Sequence, residues 1–181
     1  MGGLLPAWNN FTDTINSVSR PIQMGPVWMQ ASHVSGMPIE YNLWMKDPPA
    51  SSYPACIAVK CAQLQGEQYG EEYLRMLREA VMLKGLNIAK EEILFQIAEL
   101  LAQQSQKFNE ILFQEDLYNG KGLNVFKADM QLVHKYNINR FPTLIIRAEG
   151  KRSAIISGYR PYSALVEAIK NADADFTVSQ K

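Results

Sequence analysis

The chain has 181 residues, 47% of them apolar, and balances 18 basic against 18 acidic side chains for a net charge of zero. That size suits one domain, or one domain carrying a large insertion, with enough apolar surface for a core. Zero net charge without a Lys/Arg cluster excludes a nucleic-acid surface, the apolar runs are too short for a membrane span, and two cysteines exclude a disulfide scaffold and suit a reducing, cytoplasmic setting.

Taken in chain order, residues 1–5 read as the end of a strand and the following part, to about residue 20, as a polar, turn-rich loop or short helix. Residues 1–6 have neither the basic region nor the apolar stretch of a secretory signal. Residues 21–35 read as a helix opened by Pro21 and stopped by Gly36 and Pro38, with Pro26 predicting a kink or a later start. Residues 38–51 read as a loop through Asp47-Pro48-Pro49. A series of helices is predicted next. The first spans 52–64 with Pro54 in its opening turn. The second spans 67–83, with Tyr73, Leu77, Ala80 and Val81 on one face and Gly85 at its end. Asn87 is the expected cap of a helix carrying Leu94, Ile97, Ala98 and Leu101, and Ser105 of another that ends near Asn119-Gly120. A last member runs over 123–135 with Phe126, Met130 and Val133 in register.

The period then changes. Residues 143–147 and 153–157 are short apolar runs rich in β-branched residues, separated by the hairpin-length turn Glu149-Gly150-Lys151. Gly158 breaks the second run, Pro161 opens a helix with Tyr162, Leu165 and Ile169 on one face, and a polar tail follows from Asp173.

A strand that starts at a proline, returns through a hairpin and passes a glycine into a closing helix resembles the C-terminal half of a thioredoxin fold. Asn137-Ile138-Asn139-Arg140-Phe141-Pro142-Thr143-Leu144-Ile145-Ile146 carries that resemblance. The helices before it narrow the likeness. With the Asp47 to Gln65 segment, Leu77-Arg78-Glu79-Ala80 through Asn87-Ile88, and the exit Gly158-Tyr159-Arg160-Pro161-Tyr162, the chain resembles the DsbA-like branch, which includes FrnE-type and kappa-class glutathione transferase relatives. The resemblance implies an α/β thioredoxin-like fold with a helical insertion domain and with its first βα unit missing. Residues 1–20 and 136–181 would form the incomplete thioredoxin part and 21–135 the inserted helical domain. It also implies that Met1 is an internal methionine of a longer parent.

The activity implied is thiol–disulfide oxidoreduction or disulfide isomerisation on protein or peptide thiols. The branch's Cys-x-x-Cys is absent from these residues, so no catalytic residue is assigned. What is retained by resemblance is the substrate-binding stretch Arg140, Phe141 and Pro142, with Pro142 as the family's cis-proline. Two other readings stand beside this one: a non-catalytic module that captures extended peptide at Phe141-Pro142, and a glutathione-dependent transferase or isomerase of the kappa-related kind. No cofactor or metal is expected. By the same resemblance, the family's first strand, which lies between its second and third, would be missing from beside residues 143–146. The open edge is therefore expected to swap or dimerise, or to be covered by the segment before Pro21.

Cys56, near a helix start, is the candidate reactive thiol; the plainer reading is a buried small apolar residue beside Ala55 and Ala58. Five residues apart on one helix, Cys56 and Cys61 would stand about 8–9 Å apart, beyond disulfide reach. His33 and His134 lack a nucleophile partner and read as structural. Trp28, Met29, Trp44 and Met45 read as packing residues, Arg160 as a solvated arginine, and Glu71, Glu72 and Arg75 as an ordinary helix face.

Overall fold

The computed structural model describes residues 5–14, 16–147 and 153–173. Its elements run α1 (Met24–Ser35), α2 (Leu43–Lys46), α3 (Tyr53–Leu64), α4 (Glu67–Met82), α5 (Glu91–Gln104), α6 (Glu110–Tyr118), α7 (Lys121–Lys135), β1 (Thr143–Ile146), β2 (Ala154–Ser157) and α8 (Tyr162–Ala172). Two compact units divide within α7, residues 1–131 and 132–181.

The first unit is built around α3. Its small residues Ala55, Ala58, Cys61 and Ala62 are all buried, which lets neighbouring helices come close on several sides. Pro54 occupies a first-turn position where its missing N–H costs nothing. On α4, Tyr73, Leu77 and Ala80 point inward as their spacing predicts, joined by Tyr69, Gly70 and Met76. Tyr73 is fully buried, and its hydroxyl donates to the Leu94 carbonyl of α5 at 2.8 Å. Around it lies an aromatic cluster: the Phe113 ring of α6 stands 5.1 Å from Tyr73, 6.0 Å from Phe108 and 6.5 Å from Phe95. Three successive turns of α7 meet α3. Gly122 lies against Cys61, the Phe126 ring packs edge-on to Tyr53 at 5.0 Å, and Asp129 pairs with the buried Lys60 at 2.7 Å.

Several predicted boundaries move. Helix α1 proper starts at Met24, after a single 3-10 turn over Pro21–Gln23, so Pro26 falls in its first turn and no kink is required. The predicted loop 38–51 contains the one-turn helix α2, too short to show a period. Asn87 does not cap α5. Its side chain accepts from the Ala89 N–H and donates to Asp47 and the Pro48 carbonyl, fixing the turn between α4 and α5. Helix α6 is capped by Asn109 rather than Ser105, with Oδ1 accepting from the N–H groups of Ile111 and Leu112 at 3.0 Å.

Leu5 is buried. Its N–H donates to the Ser52 hydroxyl and its carbonyl accepts from the Ser52 N–H. Trp8 Nε1 donates to the Pro49 carbonyl at 2.9 Å. Leu5 and Trp8, in the segment before Pro21, are thus held by residues 49–52. Met1–Leu4, read as the end of a strand, lie outside the described residues, as do the Glu149-Gly150-Lys151 turn and the tail beyond Asp173.

In the second unit β1 and β2 form an antiparallel pair, with Thr143 opposite Ser157 and Ile146 opposite Ala154. Helix α8 packs on β2. The chain enters this unit through a left-handed C-cap. Asn137 has φ 50°, its N–H donates to the His134 carbonyl, and the Ile138 N–H donates to the Val133 carbonyl, the pattern that ends a helix sharply. Arg147, at the end of β1, then lies over the Tyr136 ring at 4.6 Å.

Candidate functional site

The Phe141–Pro142 peptide bond is cis, and the loop around it is tied from one side. The Pro142 carbonyl accepts from the Gly158 N–H at 2.8 Å. The Thr143 hydroxyl donates to the Arg140 carbonyl at 2.6 Å and sits 3.2 Å from the Ser157 hydroxyl. Gly158 is required where it stands. Its φ is +78°, a conformation that favours glycine, and a Cβ there would lie 3.2 Å from the Arg140 guanidinium carbon. Arg140 therefore lies over Gly158, on the β2 side of the loop.

That hydrogen bond also sets the orientation of the strand. In an antiparallel pair, residues whose N–H and C=O face the partner strand alternate with residues whose groups face away. Since Pro142 and Gly158 are a bonded pair, Leu144 with Ile156 and Ile146 with Ala154 face inward. Thr143 and Ile145 turn their main-chain groups to the other side. Among the described residues β1 has no neighbour there, because the sheet has two strands. The main-chain groups of Phe141 likewise make no hydrogen bond among the described residues. The Phe141 side chain is 36% exposed and Leu144 43%. The stretch presents a short row of free main-chain groups with apolar side chains beside it.

The thiols are elsewhere. Cys56 and Cys61 are both free and both buried, on α3. Cys61 has no exposed surface, and its thiol is pushed from 9.0 up to about 12, first by burial and then by the negative charge of Asp116. A thiol held so far above neutrality is not a nucleophile at physiological pH. The same burial governs stability at high pH. The folded-state value lies above the unfolded one, so the contribution is whole below pH 9 and is lost as pH rises from 9 towards 12. Tyr73, raised well above 10.0 by burial, acts in the same sense from pH 10 upward. Unfolding midpoints measured between pH 8 and 11 should fall steeply above pH 9, by about 1.4 kcal/mol per pH unit for each group the unfolded chain alone ionises. Cys61→Ala should remove the first part of that fall.

His33 and His134 are exposed and far apart in sequence, and no group of three or more His, Cys, Asp or Glu among the described residues is arranged to hold a metal. Asp47, in the predicted loop, accepts from Asn87 and pairs with Lys90 at 2.7 Å; the Lys90 hydrogen bond holds its carboxyl below the usual range. Arg75 pairs with Glu72 and Glu79 on its own helix. Arg160 is exposed and donates to the neighbouring Tyr159 carbonyl. Among the described residues no helix is long and apolar enough to cross a membrane.

A sequence profile of the thioredoxin family matches residues 1–167. The chain belongs to the thioredoxin family. Within known structures this thioredoxin-like chain is similar to a candidate protein disulfide isomerase from Nitrosomonas europaea, with a TM-score of 0.69 at 21% identity over 82% of this chain and 71% of that one. It is also similar to the cytosolic disulfide reductase DsbM from Pseudomonas aeruginosa, with a TM-score of 0.59 at 17% identity over 87% of this chain and 76% of that one. These likenesses bear out the α/β thioredoxin-like fold with inserted helices that the sequence implied. Among curated proteins it is similar to the ClpXP adapter protein SpxH of Halalkalibacterium halodurans, 28% identical over 94% of this chain and 55% of that protein. It is also similar to SpxH of Bacillus subtilis, 29% identical over 72% of this chain and 42% of that protein. The chain spans about half the length of the curated relatives it matches. Sequence reasoning proposed Arg140, Phe141 and Pro142 as binding residues. It did not single out the main-chain groups of Thr143 and Ile145, because which residues of a strand face outward depends on register, here set by the Gly158 bond.

Proposed function

We propose that this chain works as a protein-binding adapter module rather than through thiol chemistry of its own, and that it takes an extended segment of its partner along the free edge of β1. The observation that carries the reading is the contrast between two places. Both thiols are buried in α3, one with its pKa pushed to about 12, while Thr143, Ile145 and Phe141 hold main-chain groups that are unpaired among the described residues. Strand addition supplies affinity through main-chain hydrogen bonds and specificity through the side chains beside them, here Phe141 and Leu144. The kinship with ClpXP adapter proteins supports a protein partner, and the partner offered is the Clp unfoldase itself, a reading that goes with a cytoplasmic setting. A partner strand on this edge, whether from the unfoldase or a second copy, would occupy the same groups. The thiol–disulfide and glutathione-dependent readings need an accessible reactive group, and Cys56 and Cys61 are both buried.

The test is a titration of ClpX against the purified chain and against Ile145→Pro. Proline at 145 removes an outward N–H and leaves the β1–β2 bonds in place. Wild type should bind, and the variant should bind about fivefold more weakly, the worth of one hydrogen bond, with an unchanged far-ultraviolet spectrum. In parallel, insulin reduction by dithiothreitol should proceed no faster with the chain than without it. Faster insulin reduction, a melting point raised by glutathione, or undiminished binding by the variant would each overturn the reading.

A further inference from the structure

The first unit contains a cavity of about 330 Å³ among α1, α2, α3, α4 and the segment before α1. All three tryptophans of the chain, Trp8, Trp28 and Trp44, line it, and their rings meet edge-on at 6.1 Å (Trp8 with Trp44) and 5.1 Å (Trp28 with Trp44). Its remaining walls are almost wholly apolar. One charged side chain, Arg78 of α4, reaches the lining, and it is exposed. Its guanidinium makes no ion pair or hydrogen bond among the described residues, unlike Arg75 one turn before it, which holds two glutamates.

The volume lies within the range of small-molecule sites, which are mostly apolar with a few polar groups that fix orientation. The aromatic walls alone would suit several apolar ligands, quaternary ammonium ions included. Arg78 decides among them: a free guanidinium repels a cation, is indifferent to an alcohol and pairs in two-point fashion with a carboxylate. We infer that this cavity binds an anionic amphiphile, a medium-chain carboxylate whose tail lies among Trp8, Trp28 and Trp44 and whose head pairs with Arg78.

Because every tryptophan lines the cavity, tryptophan fluorescence, excited selectively over the eight tyrosines, reports on it. The experiment titrates the full chain with octanoate, decanoate, decanol and decyltrimethylammonium, each below its micelle concentration. Decanoate should give a saturable change and bind about fifteenfold more tightly than octanoate, from about fourfold per buried methylene. Decanol should bind about three- to fivefold more weakly than decanoate, the worth of an exposed ion pair, and the ammonium amphiphile more weakly still. Arg78→Gln, which breaks no ion pair or hydrogen bond among the described residues and should melt as wild type does, should bind decanoate and decanol equally. A non-saturable signal, equal affinity of the wild type for decanoate and decanol, or an unchanged preference in Arg78→Gln would overturn the proposal.

Discussion

Phe113→Ala should be the most damaging single truncation in the helical unit, lowering stability by about 3–5 kcal/mol. The side chain is fully buried, and its ring is shared by Tyr73, Phe95 and Phe108, drawn from α4, α5 and the loop before α6. Removing it leaves a void that three rigid rings cannot fill by small shifts, because each is held from its other side. Tyr73 is fixed by its bond to the Leu94 carbonyl, and Phe108 is packed on Tyr69 at 5.6 Å. Lost aromatic pairing adds to the lost transfer energy. Thermal unfolding followed by helical signal should shift down by about 10 °C or more for a chain of this length. Phe113→Leu keeps most of the volume and should cost about 1–2 kcal/mol.

Gly122→Ala should destabilise by about 2 kcal/mol, against the usual preference for alanine in a helix. A Cβ at Gly122 would fall 2.2 Å from Cys61 Sγ and 3.1 Å from the Ile57 carbonyl oxygen. One neighbour is main chain and the other a fully buried side chain, so α7 itself must move. Its two further contacts with α3, Phe126 with Tyr53 and Asp129 with Lys60, would open with it. The diagnostic measurement is the double variant. Cys61→Ala removes the closest contact, so chemical denaturation of Gly122→Ala/Cys61→Ala should show a favourable coupling of about 1–2 kcal/mol relative to the sum of the single variants. Additive effects would mean that the clash with Ile57, not Cys61, sets the cost.

Much of this architecture was legible because local chemistry and tertiary structure agree. Pro54, Pro161 and Gly158 stand where a chain must start or stop an element, and the Tyr73, Leu77, Ala80 face is the buried face. The errors fall where an interaction crosses the chain. Asn87 looked like a cap because Asn caps helices; its side chain is instead engaged by Asp47 and Pro48, forty and thirty-nine residues away. Ser105 and Asn109 are both good caps, and Gln65, bonded to Asn109 through both main-chain groups, accompanies the one the helix uses. The apolar pattern of α3 could not say which thiol is sealed, since that depends on α7 passing over Cys61. Nor could periodicity show that three tryptophans from separate segments converge on one cavity.

The brevity of β1 limits how firmly anything can be held there. Its open side carries two outward residues, Thr143 and Ile145, hence two donors and two acceptors. At about 1 kcal/mol net for each hydrogen bond, a fully paired strand gains about 4 kcal/mol, a dissociation constant near 1 mM. With ordinary association rates such a complex lasts on the order of milliseconds or less. A four-residue edge is therefore suited to passing a chain onward, and any longer hold must come from side chains such as Phe141 and Leu144 or from a second point of attachment.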